Sequence, residues 1–323
     1  MPAVSVSVPG KIILCGEHAV VYGYGAIALP VKQVHMRAMV SAEPLAPSGR
    51  VTVVAKDSGV EGVLEDLPAD APLRVALERL RDELGLGHFP AMQVRLSGDI
   101  PTSGGMGASA AVAVALVRAV TRFLGIAATE ERVLGLAQAL ENAFHGNASG
   151  IDPSTIVLET PIFFTRGEGA QPLHVRAPFA LVIADSGERR ETRRAIGSIR
   201  EQWDASEERV RSRFERIGQI SAEVRSLLEE GGSLVRTGDL LNENHDLLRE
   251  LGLSTGLLEQ LVQAGLAAGA LGAKLSGGGM GGCMFALTRP EDAPGVSAGL
   301  ERAGAVRTIV APYGEGDERA RLP

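Results

Sequence analysis

The sequence predicts an α+β fold in two lobes, and three observations carry that reading. The chain has 323 residues, and at roughly 150 residues per domain such a length favours two lobes over one. Runs of alternating apolar and polar residues, a strand signature, recur between runs with helical spacing. Both hairpin-like and crossover-like connections join these runs, which suits α+β better than a regularly alternating wound sheet. The composition is 45% hydrophobic and 22% charged, which excludes a disordered chain and permits a sizeable core. The stretch 168–178 is loop-like, and the expected lobes are residues 1–170 and 171–323.

Val4, Val6 and Val8 alternate with Ser5 and Ser7, and Pro9-Gly10 is expected to break that strand before residues 12–14. Strands are expected at 31–40 and 51–55, a helix at 72–84 closed by Gly85, and a strand at 92–96 ending near Asp99-Ile100-Pro101. A glycine-rich turn over 102–107 leads into a small-residue helix, 108–123, stopped by Gly125. Thr129 is the expected cap of the next helix, with Glu130 and Glu131 in the first turn, where the helix dipole favours negative charge. Val133, Leu136, Ala137, Leu140 and Phe144 form its apolar stripe, and Gly146 ends it. Residues 156–158, 162–164 and 180–184 read as strands. The stretch 188–216 mixes arginines with acids. Val210, Phe214, Ile217 and Val224 keep helical spacing, so it reads as an amphipathic helix with a solvated face. Helices are expected at 234–251 and 256–269, and a strand at 283–287.

Composition narrows the function classes. Glycine makes up 40 of the 323 residues, well above the usual level of about 7%. With no repeat to absorb it, the excess belongs in turns and ligand-contacting loops. One Trp, three Tyr and eight Phe are too few for an aromatic platform that stacks single-stranded nucleic acid. A net charge of −7 disfavours non-specific binding to nucleic acid or anionic membranes. Cys15 and Cys283 lie far apart with no Cys-x-x-Cys, so neither a disulfide framework nor a thiolate zinc site is expected. The longest apolar run, 110–117, is too short to span a bilayer, and no charged region precedes an apolar block at the N-terminus. The expectation is a soluble cytoplasmic protein with no nucleic-acid or membrane partner.

Three segments could carry chemistry. In the first, residues 99–111, glycines allow close backbone approach to an anion, and the amides at the helix start point at it with the dipole behind them. Ser109 could reach a Mg²⁺ riding on phosphates; a plain glycine-rich turn fits the segment equally well, and no Walker A loop occurs. The second pairs Glu141, beside an apolar stripe, with Asp152 after the loop His145-Gly146-Asn147-Ala148-Ser149-Gly150-Ile151. One metal ligand and one base suit these carboxylates, but Glu141 reaching out to water and Asp152 capping a turn is the blander alternative. The third, Lys274-Leu275-Ser276 with the glycines up to Gly282, satisfies G-x-G-x-x-G only weakly and lacks a βαβ context. Near the N-terminus Lys11 could be a surface lysine, and His18 has no metal-ligand spacing.

In their order these segments resemble the GHMP kinases. Residues 9–23, read as Pro9-Gly10-Lys11 through Gly16-Glu17-His18 to Tyr22-Gly23, are similar to the mevalonate kinase form of the first motif. The loop His145–Asp152 and Asp185-Ser186-Gly187 add to the match. The resemblance implies a two-lobed fold, with an N-terminal lobe like ribosomal protein S5 domain 2 and a C-terminal ferredoxin-like α/β plait. It implies that Pro101, Ser103, Gly104, Gly105, Met106, Gly107, Ala108, Ser109, Ala110 and Ala111 wrap the ATP phosphates, with Gly278 and Gly279 as a buttress. It further implies Mg²⁺ held by Ser109 and Glu141, Asp152 as catalytic carboxylate with Lys11 as its partner, and Glu17, His18, Ser149 and Gly150 on the acceptor side. The activity so implied is ATP-dependent phosphorylation of the C5 hydroxyl of mevalonate, and family members are often homodimers. Another acceptor within the superfamily, or a non-catalytic sensor of the same fold, is the rival reading. The chain departs from the family pattern at Ala108, where serine is usual, and at Met106, Ala148 and Gly278.

Overall fold

The computed structural model describes residues 3–101, 104–146, 148–188 and 192–314. Two strands are long enough to belong to more than one neighbourhood: β1 (Val4–Cys15) and β2 (Ala26–Ala42). The chain accordingly forms two compact units, each discontinuous in sequence. One comprises Met1–Gly10, Val34–Ile100 and Gly107–Glu159; the other comprises Lys11–Gln33, Pro101–Met106 and Thr160–Pro323. Pro9-Gly10 does not end β1, contrary to the sequence expectation. In its sheet β1 pairs with β2, and a proline is tolerated where its missing N–H falls on an unpaired edge.

In the first unit the second half of β2 lies antiparallel to β5 (Met92–Gly98), with Met36 opposite Gly98 and Ala42 opposite Met92. β3 (Val51–Ala55) runs parallel to β5, and β4 (Val60–Val63) pairs antiparallel with β3. Four helices accompany these strands: α1 (Pro72–Glu83), α2 (Ala108–Phe123), α3 (Glu130–His145) and α4 (Ile151–Leu158). α2 is almost wholly buried, and its alanines at 110, 111, 113, 115 and 119 let α3 and α4 approach closely. The Thr129 side chain caps α3, accepting from the Arg132 N–H at 3.2 Å as its position predicts. Residues 156–158, expected as a strand, form the end of α4. Burial on all sides makes that stretch look like a core strand, but Thr155 Oγ1 donates to the Ile151 carbonyl at 2.8 Å, a bond made within a helix turn.

In the second unit the first half of β2 pairs antiparallel with β6 (Ile162–Thr165), and β6 forms a hairpin with β7 (Gly169–Pro172). A separate antiparallel sheet has the order β11-β8-β10-β9, built from β8 (Phe179–Asp185), β9 (Gly272–Leu275), β10 (Cys283–Thr288) and β11 (Arg307–Tyr313). Its helices are α5 (Thr192–Ala205), α6 (Glu207–Glu230), α7 (Leu234–Glu250), α8 (Gly256–Ala267) and α9 (Ala293–Arg302). The charged stretch read as one helix is therefore two, interrupted at Ser206, whose φ of −161° and ψ of 87° are not helical. Val182, Ala184, Phe214, Ile217, Leu248, Leu261, Met284 and Leu300 centre the core of this unit. Among the described residues no helix is long and apolar enough to cross a membrane.

Candidate active site

Beyond β5 the chain turns through Pro101 into the glycine segment. Ser103 lies outside the described residues, whereas Gly104, Gly105 and Gly107 all take positive φ. Gly107 is the left-handed N-cap of α2, and no side chain caps that helix among the described residues. The amides of Ala108, Ser109 and Ala110 therefore start a helix without intrahelical acceptors, which is what an anion seat requires. Ala111 closes the first turn, its N–H donating to the Gly107 carbonyl at 2.9 Å.

Ser109, in that first turn, donates from Oγ to Oε1 of Glu141 on α3 at 2.8 Å. Glu141 is 4% exposed, so its carboxylate does not reach out to water. A hydroxyl and a carboxylate side by side are hard oxygen donors, the kind that a hard divalent ion takes in small number while keeping waters and phosphate oxygens. Among the described residues no group of three or more His, Cys, Asp or Glu forms a metal cage, and a metal that arrives on a nucleotide needs none. Asp152 stands in the first turn of α4, behind Gly150 at φ 95°. Gly150, the left-handed N-cap of α4, offers no capping side chain. The loop leading to it hangs from α3: Asn142 Oδ1 accepts from the Ala148 N–H at 3.1 Å, and Gln138 Nε2 donates to the Ala148 carbonyl at 3.1 Å. Ser149 and Gly150 follow, half-buried. Gln138 and Asn142 were not among the sequence candidates; their i, i+4 polar pairing beside Glu141 was the signal available.

In the second unit the first and third motifs are clasped together. Lys11 is 1% exposed, which removes the surface-lysine alternative, and its backbone N–H donates to the Met106 carbonyl at 3.1 Å. Gly105, at φ +94°, lies so near the third motif that a Cβ would sit 3.1 Å from the Ser276 carbonyl oxygen. Ser276 Oγ accepts from the Ile13 N–H at 3.1 Å and donates to the Ile13 carbonyl at 3.0 Å. Lys274, fully buried, donates from Nζ to Oε1 of Glu17 and to its neighbour's carbonyl at Leu275, 2.8 Å away. Burial pushes the Glu17 carboxyl above the usual range, while the Lys274 ammonium opposes that shift. Glu17 Oε2 has no hydrogen-bond partner among the described residues. His18 Nε2 lies 3.0 Å from the Gly278 carbonyl oxygen; a carbonyl only accepts, so the proton sits on Nε2. Gly279, at φ +70°, has no alternative residue, since a Cβ would come within 2.3 Å of the Leu253 carbonyl oxygen.

The sequence named Lys274 only as the opening of the third segment, without a role, and gave His245 none; both orient this clasp. His245 on α7 accepts the Leu275 N–H at Nδ1, 3.3 Å, and faces Glu259 Oε1 with Nε2 at 3.0 Å. Burial lowers the His245 pKa from 6.5; Glu259 opposes the shift and Lys274 assists it. A histidine whose folded-state pKa is depressed contributes stability above its unfolded value, and that stability is lost as pH falls below about 6.5. The urea midpoint is therefore expected to drop between pH 7.5 and 5.5, and His245→Asn should flatten that drop. Equal slopes in the two proteins would remove His245 as its cause.

Comparisons with known proteins place the chain in a family. The family model described as GHMP kinases N terminal domain matches residues 72–159, and that described as GHMP kinases C terminal matches residues 224–306. The mevalonate kinase of Pyrococcus horikoshii is 32% identical over 96% of both chains, and that of Thermococcus gammatolerans is 34% identical with the same coverage. The crystal structure of L. major mevalonate kinase in complex with R-mevalonate superposes with a TM-score of 0.82 at 25% identity, covering 97% of this chain and 96% of that one. The two-lobed fold is that of the GHMP kinases, and the chain belongs to that superfamily and, within it, to the mevalonate kinases.

Proposed function

We propose that this chain transfers the γ-phosphoryl group of ATP to the C5 hydroxyl of (R)-mevalonate, giving 5-phosphomevalonate and ADP. The observation that carries the acceptor assignment is the clasp just described: the mevalonate-type pair Glu17-His18 is held by Lys274 and Gly278 of the third motif. The hydroxyl oxygen bonds to the γ-phosphorus as the bond to the ADP oxygen breaks, and the hydroxyl proton passes to Asp152. Lys11 sets a positive charge beside the transferred group, where a loose transition state spreads negative charge over its oxygens. Pro101, Ser103 and the residues from Gly104 to Ala111 wrap the nucleotide phosphates, backed by Gly278 and Gly279. Glu17, His18, Ser149 and Gly150 serve the mevalonate side. Ser109 and Glu141 hold Mg²⁺, which when bound neutralises phosphate charge. A reducing, cytoplasmic setting suits the two cysteines, both buried outside any disulfide, with burial pushing the Cys15 thiol up to about 12.

An ADP-release assay with Mg·ATP against mevalonate, 5-phosphomevalonate, homoserine and galactose tests the proposal. Turnover on mevalonate alone is expected; turnover on another acceptor instead would keep the ATP site and overturn the acceptor assignment. Glu141→Gln is expected to raise the Mg²⁺ concentration needed for half-maximal rate by roughly tenfold or more, the scale seen when even supporting groups of a metal site are lost. An unchanged Mg²⁺ dependence would take Glu141 out of the metal's surroundings.

A further inference from the structure

His18 has φ 59° and ψ −46°, on the left-handed side of the map where a residue with a Cβ is strained. Such a conformation persists only where neighbouring contacts over-determine it. Gly278 holds the side chain. The backbone is held by the 3-10 turn that follows, Ala19–Tyr22, through the Val20 N–H to Gly16 carbonyl bond at 3.1 Å and the Val21 N–H to His18 carbonyl bond at 3.1 Å. The turn ends at Gly23, whose left-handed φ of 92° lets the chain swing away. Its far end is anchored by the Tyr22 side chain together with Arg166, whose Nη1 donates to the Val21 carbonyl at 3.0 Å.

Tyr22 stacks on Trp203 of α5, with ring centroids 4.7 Å apart and planes inclined by 21°, and it tilts against Phe214 of α6 at 4.8 Å. Trp203 and Phe214 stack in turn at 6.3 Å, and the Arg211 guanidinium lies 5.9 Å above the Trp203 ring. Phe214 belongs to the core, but Tyr22 is 40% exposed and Trp203 only partly buried. Half-exposed rings contribute less to the core than to fixing the direction of what they hold. We infer that Trp203 is a positioning residue for the acceptor: by stacking on Tyr22 it fixes the turn that keeps His18 in its strained, mevalonate-facing conformation. This inference rests on the acceptor reading proposed above. Trp203 touches no reacting atom in this account and acts through Tyr22.

Losing one aromatic pair is worth roughly a three- to tenfold change in an equilibrium. Trp203→Ala is therefore expected to raise KM for mevalonate by roughly three- to tenfold with kcat and KM for ATP unchanged, and Trp203→Phe to restore it. A merely structural loss would lower the melting temperature and the active fraction without separating the two KM values. Trp203 is the only tryptophan of the chain, so its emission supplies a second readout in the wild-type protein: a saturable change with mevalonate and none with ATP alone. An unchanged mevalonate KM in Trp203→Ala, an equal rise in both KM values, or emission indifferent to mevalonate would each overturn the inference. Should the alanine variant not fold, Trp203→Phe and the emission titration decide. Wild-type turnover separates the two proposals: without turnover on mevalonate the acceptor reading and the clamp both fall, whereas turnover with an unmoved KM in Trp203→Ala removes the clamp alone.

Discussion

Asp152→Asn is expected to lower kcat on mevalonate by roughly 10²–10⁴-fold, the usual contribution of a positioned general base, while ATP still binds and the fold survives. Asparagine is nearly isosteric and keeps the place of Asp152 in the first turn of α4, but it cannot take the hydroxyl proton. A loose transition state asks for little activation of the attacking oxygen, so the low end of that range would still agree with a proton acceptor. A kcat near the wild-type value would not, and it would reduce Asp152 to orienting the hydroxyl.

The second large effect is on stability. Lys274 is fully buried and Glu17 is 1% exposed, so solvent does not screen their ion pair. Lys274→Met leaves the Glu17 carboxylate buried without its cation, and the expected loss is about 3–5 kcal/mol. Replacing both, Lys274→Met with Glu17→Gln, removes the uncompensated charge and should recover a large part of that loss. Urea denaturation of the wild type, the two single variants and the double variant reads this directly. Additive losses in the double variant would show that the two side chains do not act as a pair.

The two side chains of that pair bear on function through β9, which carries Lys274. β9 enters the glycine cluster with Lys274 on Glu17, Leu275 on His245 and Ser276 on Ile13. Three successive residues are thus pinned to three different elements, and Gly278 then meets His18. Fixing donors and acceptors before the substrate arrives is the condition under which electrostatic stabilisation costs no reorganisation during reaction.

Much of this was legible in the residues. α2 and α3 were bounded by punctuation with a mechanism, Gly107, Gly125 and Thr129, and the structure places their ends there. The Ser109–Glu141 contact spans 32 positions and came from the motif resemblance, since no local pattern pairs those two residues. Local rules failed where tertiary context overrode them. Pro9-Gly10 is a strong breaker, yet β1 continues through it; residues 156–158 are apolar, and Ile156 and Val157 β-branched, yet they lie in helix α4, where Thr155 Oγ1 bonds the Ile151 carbonyl. The stretch 188–216 concealed a break because charge patterning does not register one irregular residue, Ser206. α9 and β11 went unread, their signal being short and divided by surface positions. The roles of Lys274 and His245 were hidden for a different reason: a buried cation or imidazole looks like any other until its partners, 257 and 30 positions away, are known.

Phosphorus NMR of the wild-type product reads directly whether the acceptor is the C5 hydroxyl of mevalonate. A phosphate on C5 is attached to a methylene carbon and shows splitting by its two protons, whereas one on the tertiary C3 carbon has no such neighbours. A single new phosphomonoester resonance split into a triplet is the predicted result, with ADP formed in equal amount. An unsplit resonance, or a β,γ-cleaved nucleotide with no phosphorylated mevalonate, would contradict it.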